Sequence, residues 1–287
     1  MCGRYVLDLA GDHPQYLAGF ELTQAISSYN VAPSHSVPIL VDHLEGSADR
    51  PFRRELHTAR WGLLPAWAKD PSFSSRTFNA RSESIFEKAS FRQAALRGHC
   101  ALPVSGYYEW KTETTAAGRQ VKTPYYIHRR DGRPIYLAGL YDWWKIQPEA
   151  AGPGGPFAGQ AGQWLLSCSI ITMESPGPGE PEPRQQLGQL HQRIPLPLQV
   201  ADDRQISSAD SLTGWLRSGW PAGAGPLNPG DLPFYRQQAQ ESLEQLCQQA
   251  YEQLDHWQLR PVSPAVGKVN NNSPQLLEPP EDLLSGL

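Results

Sequence analysis

Cysteine is scarce in this chain, and the four present, Cys2, Cys100, Cys168 and Cys247, stand far apart with no CxxC spacing. A zinc site built on cysteine pairs is therefore not expected, and no metal or other cofactor is called for. Long apolar runs are also missing, and no basic-then-apolar leader opens the chain, so neither a spanning helix nor a secretion signal is expected. The N-terminus reads as the functional start of a soluble, cytoplasmic, monomeric protein, in which Cys2 remains a free thiol. Excess basic charge is absent too: the formal net charge is −4. No global field draws nucleic acid to the molecule, and any such binding must use a local patch.

What the chain does hold is aromatic bulk and turn formers. Nine Trp and eleven Tyr supply core-packing rings and also platforms on which bases can stack. Twenty-seven Pro and 25 Gly among 287 residues indicate many turns and loops. Short β-type runs recur at Tyr5–Leu7, Val37–Val41, Leu56–Leu64, Cys100–Val104, Gly106–Trp110, Pro124–Ile127, Ile135–Tyr141 and Trp164–Ile171. They lie too close together for helical crossovers, which predicts mostly antiparallel pairing. Asp131-Gly132 reads as a hairpin turn. Ile85, Phe86 and Ala89 are spaced to share the face of a short helix. Loop insertions are expected near 148–163, 174–188 and 219–233. A helix is expected over about 235–255, with Leu243, Leu246, Ala250 and Leu254 on its packed face. A single domain over 1–275 and a loose tail over 276–287 complete the organisation.

The residue with the most chemistry is Cys2. Removal of Met1 would leave an α-amine and a thiol on one residue, with pKa values of about 7.7–8 and about 8.5. An aldehyde condenses with the amine to an imine, and the thiol then closes a thiazolidine ring. Helpers for that chemistry occur downstream. Asn79 and Arg81 set an amide and a guanidinium two apart. Glu109 lies between Tyr108 and Trp110, where burial would pair the carboxylate or raise its pKa. His191 stands close to Arg193 and a Pro-rich strand, and Arg60 with Trp61 and Trp67 mixes a cation with aromatics. Singly, each also has an ordinary reading: Asn79 as a turn or cap, Glu109 as the outward face of a strand, His191 as a surface histidine, the tryptophans as core.

Together these stretches resemble the SRAP (SOS response associated peptidase) family of abasic-site processing proteins. The pattern reads Met1-Cys2-Gly3-Arg4-Tyr5, Tyr29-Asn30-Val31-Ala32-Pro33, Arg60-Trp61-Gly62-Leu63-Leu64-Pro65-Ala66-Trp67 and Phe78-Asn79-Ala80-Arg81-Ser82-Glu83. It continues through Gly106-Tyr107-Tyr108-Glu109-Trp110, His191-Gln192-Arg193-Ile194-Pro195 and Pro261-Val262-Ser263 with Val269-Asn270. Ile194 stands where the family usually has Met, an exchange of one apolar side chain for another.

The resemblance implies an α+β fold, a single compact domain of curved antiparallel sheets, barrel-like, with peripheral helices. It implies trapping of abasic sites in single-stranded DNA as a covalent crosslink to Cys2, in the service of DNA damage repair and the SOS response. Cys2, Asn79, Glu109 and His191 fall on the family's catalytic positions. Arg4 and Arg81 fall on phosphate-holding positions, with Arg60, Trp61 and Trp67 as further DNA-binding candidates near the strand. A peptidase (hydrolase) activity on the protein's own N-terminus is implied beside the lyase-like imine chemistry. The partner is then abasic single-stranded DNA, with no membrane, and the protein is nucleoid-associated when bound. Three other readings start from the same residues: an N-terminal-nucleophile amidotransferase, a noncovalent reader of modified DNA, and a peptidase that only removes Met1.

Overall fold

The computed structural model describes residues 2–8, 27–44, 52–114, 118–200, 210–221 and 227–280 of the 287-residue chain. Strands dominate, because β-branched and aromatic residues alternate along the apolar runs. Their order is β1 (Arg4–Asp8), β2 (Ser27–Val31), β3 (Ser36–Leu44), β4 (Phe52–Trp61), β5 (Asn79–Arg81), β6 (His99–Val104) and β7 (Gly106–Thr114). Then follow β8 (Gln120–Arg129), β9 (Ile135–Lys145), β10 (Trp164–Glu174), β11 (Arg193–Pro195), β12 (Pro197–Leu198) and β13 (Trp257–Pro261). The helices are α1 (Ala94–Arg97), α2 (Arg184–Leu190), α3 (Ser211–Leu216) and α4 (Leu232–Leu254).

Five strands close into a barrel in the order β10-β4-β3-β6-β9, with β9 returning to β10. Its pairings are antiparallel except for β4 on β10, which is parallel over Ser167↔Arg60 and Cys168↔Trp61. The chain then leaves β10's edge at Gly62 and rejoins it as β5, again parallel, through Ile170↔Asn79, Ile171↔Ala80 and Thr172↔Arg81. Gly62 makes that exit possible: its φ is +131°, and a Cβ there would lie 2.5 Å from the Ser74 carbonyl oxygen. The expectation of mostly antiparallel pairing holds, and the two parallel contacts are where the barrel closes.

The second sheet runs β13-β8-β7-β1-β2, antiparallel throughout. Side chains alternate across it. Tyr5, Leu7 and Tyr107 enter the main core with Cys2, whereas Val6, Tyr108 and Tyr126 join Val262, Val266 and Leu276 on the other face. Arg4↔Tyr108 pairing brings β7 alongside the segment that follows Cys2. Helix α4 buries Ala239, Leu243, Leu246, Ala250 and Leu254, the face expected from their spacing. Among the described residues no helix is long and apolar enough to cross a membrane.

Four expectations need correction. Asp131-Gly132 is a turn, but β8 and β9 on either side belong to different sheets, so it is a crossing between layers and not a hairpin. The β7–β8 pair is the hairpin instead. Residues 85–89 form turns, not a helix; Ile85 and Phe86 are buried while Ala89 is exposed. The 148–163 insertion is packed: Phe157 joins Leu64, Ala68, Trp144 and Ile146 in a separate apolar cluster. The tail does not loosen at 276, since Leu276 is only 3% exposed. Part of the 219–233 stretch lies outside the described residues.

Candidate active site

The first described residue, Cys2, is fully buried at the junction of the two sheets. Its backbone carbonyl accepts a 2.7 Å hydrogen bond from the Asn79 side-chain amide. Asn79 can hold that position because it opens β5 and is itself fastened to the barrel: it pairs with Ile170, whose N–H donates to the Phe78 carbonyl at 3.0 Å. The other amide atom of Asn79, Oδ1, is buried with no hydrogen-bond partner among the described residues. The Cys2 sulfur lies 4.0 Å from the Arg4 carbonyl oxygen, a weak contact. Burial pushes the thiol pKa far up, and the nearby Glu109 carboxylate pushes the same way. The thiol therefore rests protonated and needs a base when it reacts.

Glu109 sits in β7, 7% exposed, on the same face as Tyr107. Its Oε1 accepts the Trp110 N–H at 3.3 Å. His191 arrives from the opposite direction, at the C-terminal end of α2, where its N–H donates to the Leu187 carbonyl at 3.3 Å. Its Nδ1 accepts the Arg193 N–H at 2.9 Å. The neutral ring therefore carries its proton on Nε2. Ser175 holds the same residue from behind by donating its hydroxyl to the His191 carbonyl at 2.5 Å. Burial lowers the His191 pKa, and the Glu109 charge works against that shift. Cys2, Asn79, Glu109 and His191, drawn from four separate stretches, thus meet in one site.

Beside His191 opens a cavity of about 1060 Å³, lined among others by Arg81, Glu83, Lys88, Ser175 and Arg193. Arg81 is exposed on its wall. Arg193 spans the site's edge: its two terminal nitrogens reach the Glu83 carboxylate at 2.7 and 2.9 Å, and one also donates to the Thr172 carbonyl. Reading the residues one by one gave Glu83 and Ser175 no role and named Arg193 only as a neighbour of His191. Glu83 and Arg193 lie inside the quoted motifs, two residues from Arg81 and from His191, and that adjacency is the signal that could have found them.

The DNA-binding candidates separate into different surroundings. The Arg4 guanidinium donates to the Asn30 side-chain oxygen and the Val266 carbonyl, each at 2.9 Å, and to the Gly267 carbonyl at 3.4 Å. Partial burial lowers its pKa. Arg60 donates to the Ser34 carbonyl at 3.0 Å and stands 5.7 Å from the centre of the Phe157 ring. Trp67 is 53% exposed, with its indole N–H on the Ala89 carbonyl. Trp61 is a correction. It is 0% exposed, its ring lies 4.9 Å from that of Tyr5, and its indole N–H donates to the Phe78 carbonyl at 2.8 Å. It offers no face to a base; it is the buried support beneath Tyr5 and the strand that leads from Cys2.

Comparison with known proteins identifies relatives of the whole chain. The chain is 29% identical over 284 residues to "Abasic site processing protein YoqW" of Bacillus subtilis, covering 97% of this chain and 99% of that protein. It is 29% identical over 287 residues to "Abasic site processing protein HMCES" of Mus musculus, covering 90% of this chain and 66% of that protein. A crystal structure of a Bacteroides thetaiotaomicron protein shares the fold, with a TM-score of 0.56 at 22% identity over 88% of this chain and 85% of that one. A Bordetella bronchiseptica protein does so with a TM-score of 0.54 at 20% identity, over 91% of this chain and 100% of that one. Residues 1–218 match the family model described as SOS response associated peptidase (SRAP), and the chain belongs to that family.

Proposed function

We propose that this protein processes abasic sites, capturing them in single-stranded DNA as a covalent crosslink to Cys2. The observation that carries the reading is the meeting of a buried Cys2, its carbonyl held by Asn79, with Glu109 and His191. The names of the related proteins supply the substrate class.

The chemistry follows from the residues. The ring-opened abasic sugar presents an aldehyde at C1′. The free amine of Cys2, exposed once Met1 is removed, adds to that carbon and gives a carbinolamine. His191, protonated on both ring nitrogens, donates a proton from Nε2 as the hydroxyl departs as water, and the nitrogen then releases its own proton to leave an imine. The thiol belongs to the same residue, so its attack on the imine carbon is intramolecular and strongly favoured by proximity. Glu109 takes the thiol proton as the C–S bond forms and passes it to the former imine nitrogen. A thiazolidine results, with one water lost overall. Loss of the imine removes the route to β-elimination, and the strand stays intact. Asn79 fixes the Cys2 backbone while this happens. Arg81 on the cavity wall and the remaining N–H groups of Arg4 face phosphates, which makes affinity fall with salt. Removal of Met1 is assigned to the same Glu109 and His191, and intact-protein mass with and without Glu109→Gln tests that step. The protein acts in the cytoplasm, on the DNA.

Denaturing gel electrophoresis after mixing with an abasic single-stranded oligonucleotide tests the reading. A heat-stable shifted band is expected from the native chain. Cys2→Ser is expected to give a band only after borohydride reduction, because the hydroxyl closes the ring poorly. A shift by Cys2→Ser that is heat-stable without reduction counts against the ring.

A further inference from the structure

The segment that follows β13, residues 262–272, lies beyond the residues matched to the family model, yet it closes over the start of the chain. Asn30, 1% exposed in β2, is its anchor. The Asn30 side-chain nitrogen donates to three carbonyls of this segment, Val266 at 3.2 Å, Lys268 at 3.0 Å and Asn271 at 2.8 Å. Its side-chain oxygen accepts from Arg4 at 2.9 Å. Asn272 fastens the far end, its side-chain oxygen accepting the Tyr29 N–H at 2.6 Å. Val266 is itself buried against Val6 and Tyr108, so the strap cannot slide freely. Of the five N–H groups of the Arg4 guanidinium, the strap and Asn30 hold three contacts, all on its two terminal nitrogens.

We propose that residues 262–272 are a strap that presets the Arg4 guanidinium for the DNA phosphate next to the lesion, and that Asn30 is the positioning residue through which the strap acts. This rests on the reading of Arg4 as a phosphate contact in abasic-site capture. A free arginine must give up rotamer freedom when it meets a phosphate. Here the fork is already oriented, and its inward N–H groups are satisfied by carbonyls and an amide that carry no net charge. The cation is therefore fixed without being neutralised, unlike Arg193, whose charge is spent on Glu83.

The test is a double-mutant cycle on the full chain with an abasic single-stranded oligonucleotide. Single-turnover adduct formation is followed against DNA concentration. Asn30→Ala is expected to raise the half-saturating DNA concentration about fivefold, the scale of one weakened charge-assisted contact. The maximal rate stays within about twofold, since the chemistry at Cys2 is untouched. In an Arg4→Ala background the same change is expected to add no further rise. Equal rises in both backgrounds, or none in either, would overturn the proposal. Should Asn30→Ala fail to fold, Asn272→Ala carries the cycle, because it frees the strap's end at an exposed position without touching Arg4. A smaller rise that disappears with Arg4→Ala supports the strap, and a rise that persists sinks it. A native chain that gives no adduct would defeat the proposed function alone. Equilibrium binding of the same DNA, read by fluorescence anisotropy, still measures the coupling of Asn30 to Arg4 in that case.

Discussion

In the neutral ring the His191 Nδ1 accepts the Arg193 N–H, so the acid form takes its second proton at Nδ1 in place of that hydrogen bond, and Nε2 is the ring atom left to pass a proton to substrate. Burial sets its pKa below the ordinary histidine value. The amine it serves must be unprotonated, with a reference pKa of about 7.7–8. The two requirements oppose each other, and the rate is proportional to the product of protonated His191 and free amine. Crosslinking by the native chain should therefore climb with pH up to the His191 pKa, run level, and fall above about pH 8. His191→Ala should be slower by about a hundredfold near neutrality. Its rate should keep climbing until the amine is deprotonated and then stay level. A falling alkaline limb that survives in His191→Ala removes the residue from the acid role. At this scale the sequence was partly readable. The type of each side chain tells what it can do, so Cys2, Asn79, Glu109 and His191 stood out. Whether a tryptophan faces inward does not follow from its type, and Trp61 turned out to be core.

Among the elements, the strands were legible because their apolar alternation is local. The closure of the barrel was not. The β4–β10 and β5–β10 contacts span only the few residue pairs Ser167↔Arg60 to Thr172↔Arg81, and they join segments far apart in the chain. No local pattern specifies such a pairing, just as none announces that Arg193 will meet Glu83. Two elements yield predictions of their own. Helix α4 is held by its buried face, so Leu246→Ala should cost about 2–4 kcal/mol in denaturant unfolding. A loss under about 0.5 kcal/mol would mean that the helix is not packed as described. Helix α3 is joined to β6 through His99, which stacks on Trp215 with ring centroids 3.9 Å apart and meets the Ala95 carbonyl at 2.8 Å and the Ser218 hydroxyl at 2.9 Å. Burial lowers its pKa to about 4. In the unfolded chain the ring titrates near about 6.5. Between those values the unfolded chain binds the extra proton, so this stability is full above the upper value and lost as pH falls through the lower one, on the order of 3 kcal/mol. Denaturant titrations across that window should show the loss in the native chain and a flatter dependence in His99→Phe. An equal slope in both would place the acid sensitivity elsewhere.

For the whole molecule, the two sheets divide the work. The barrel supplies Asn79 from the edge where it closes, the outer sheet supplies Arg4 and Glu109 with Cys2 just ahead of its first strand, and His191 comes from the C-terminal end of α2. The candidate site exists only when all three are assembled, which is how four residues spread over nearly 190 positions come together. The α+β class and the barrel-like curvature followed from the family resemblance, whereas composition alone gave only a strand-rich chain with many turns. The packed 148–163 loop and the buried Leu276 were hidden because Gly- and Pro-rich stretches read as loose whether or not one large side chain, here Phe157, pins them down. Everything proposed about function converges on the amine and thiol of Cys2 reacting together. The most direct measurement is the intact mass of the heat-treated product formed between the Met1-free chain and an abasic single strand, with Cys2→Ala alongside. The account predicts a product weighing protein plus DNA less one water, stable without reduction, and none from Cys2→Ala. The same stable product from Cys2→Ala would contradict it.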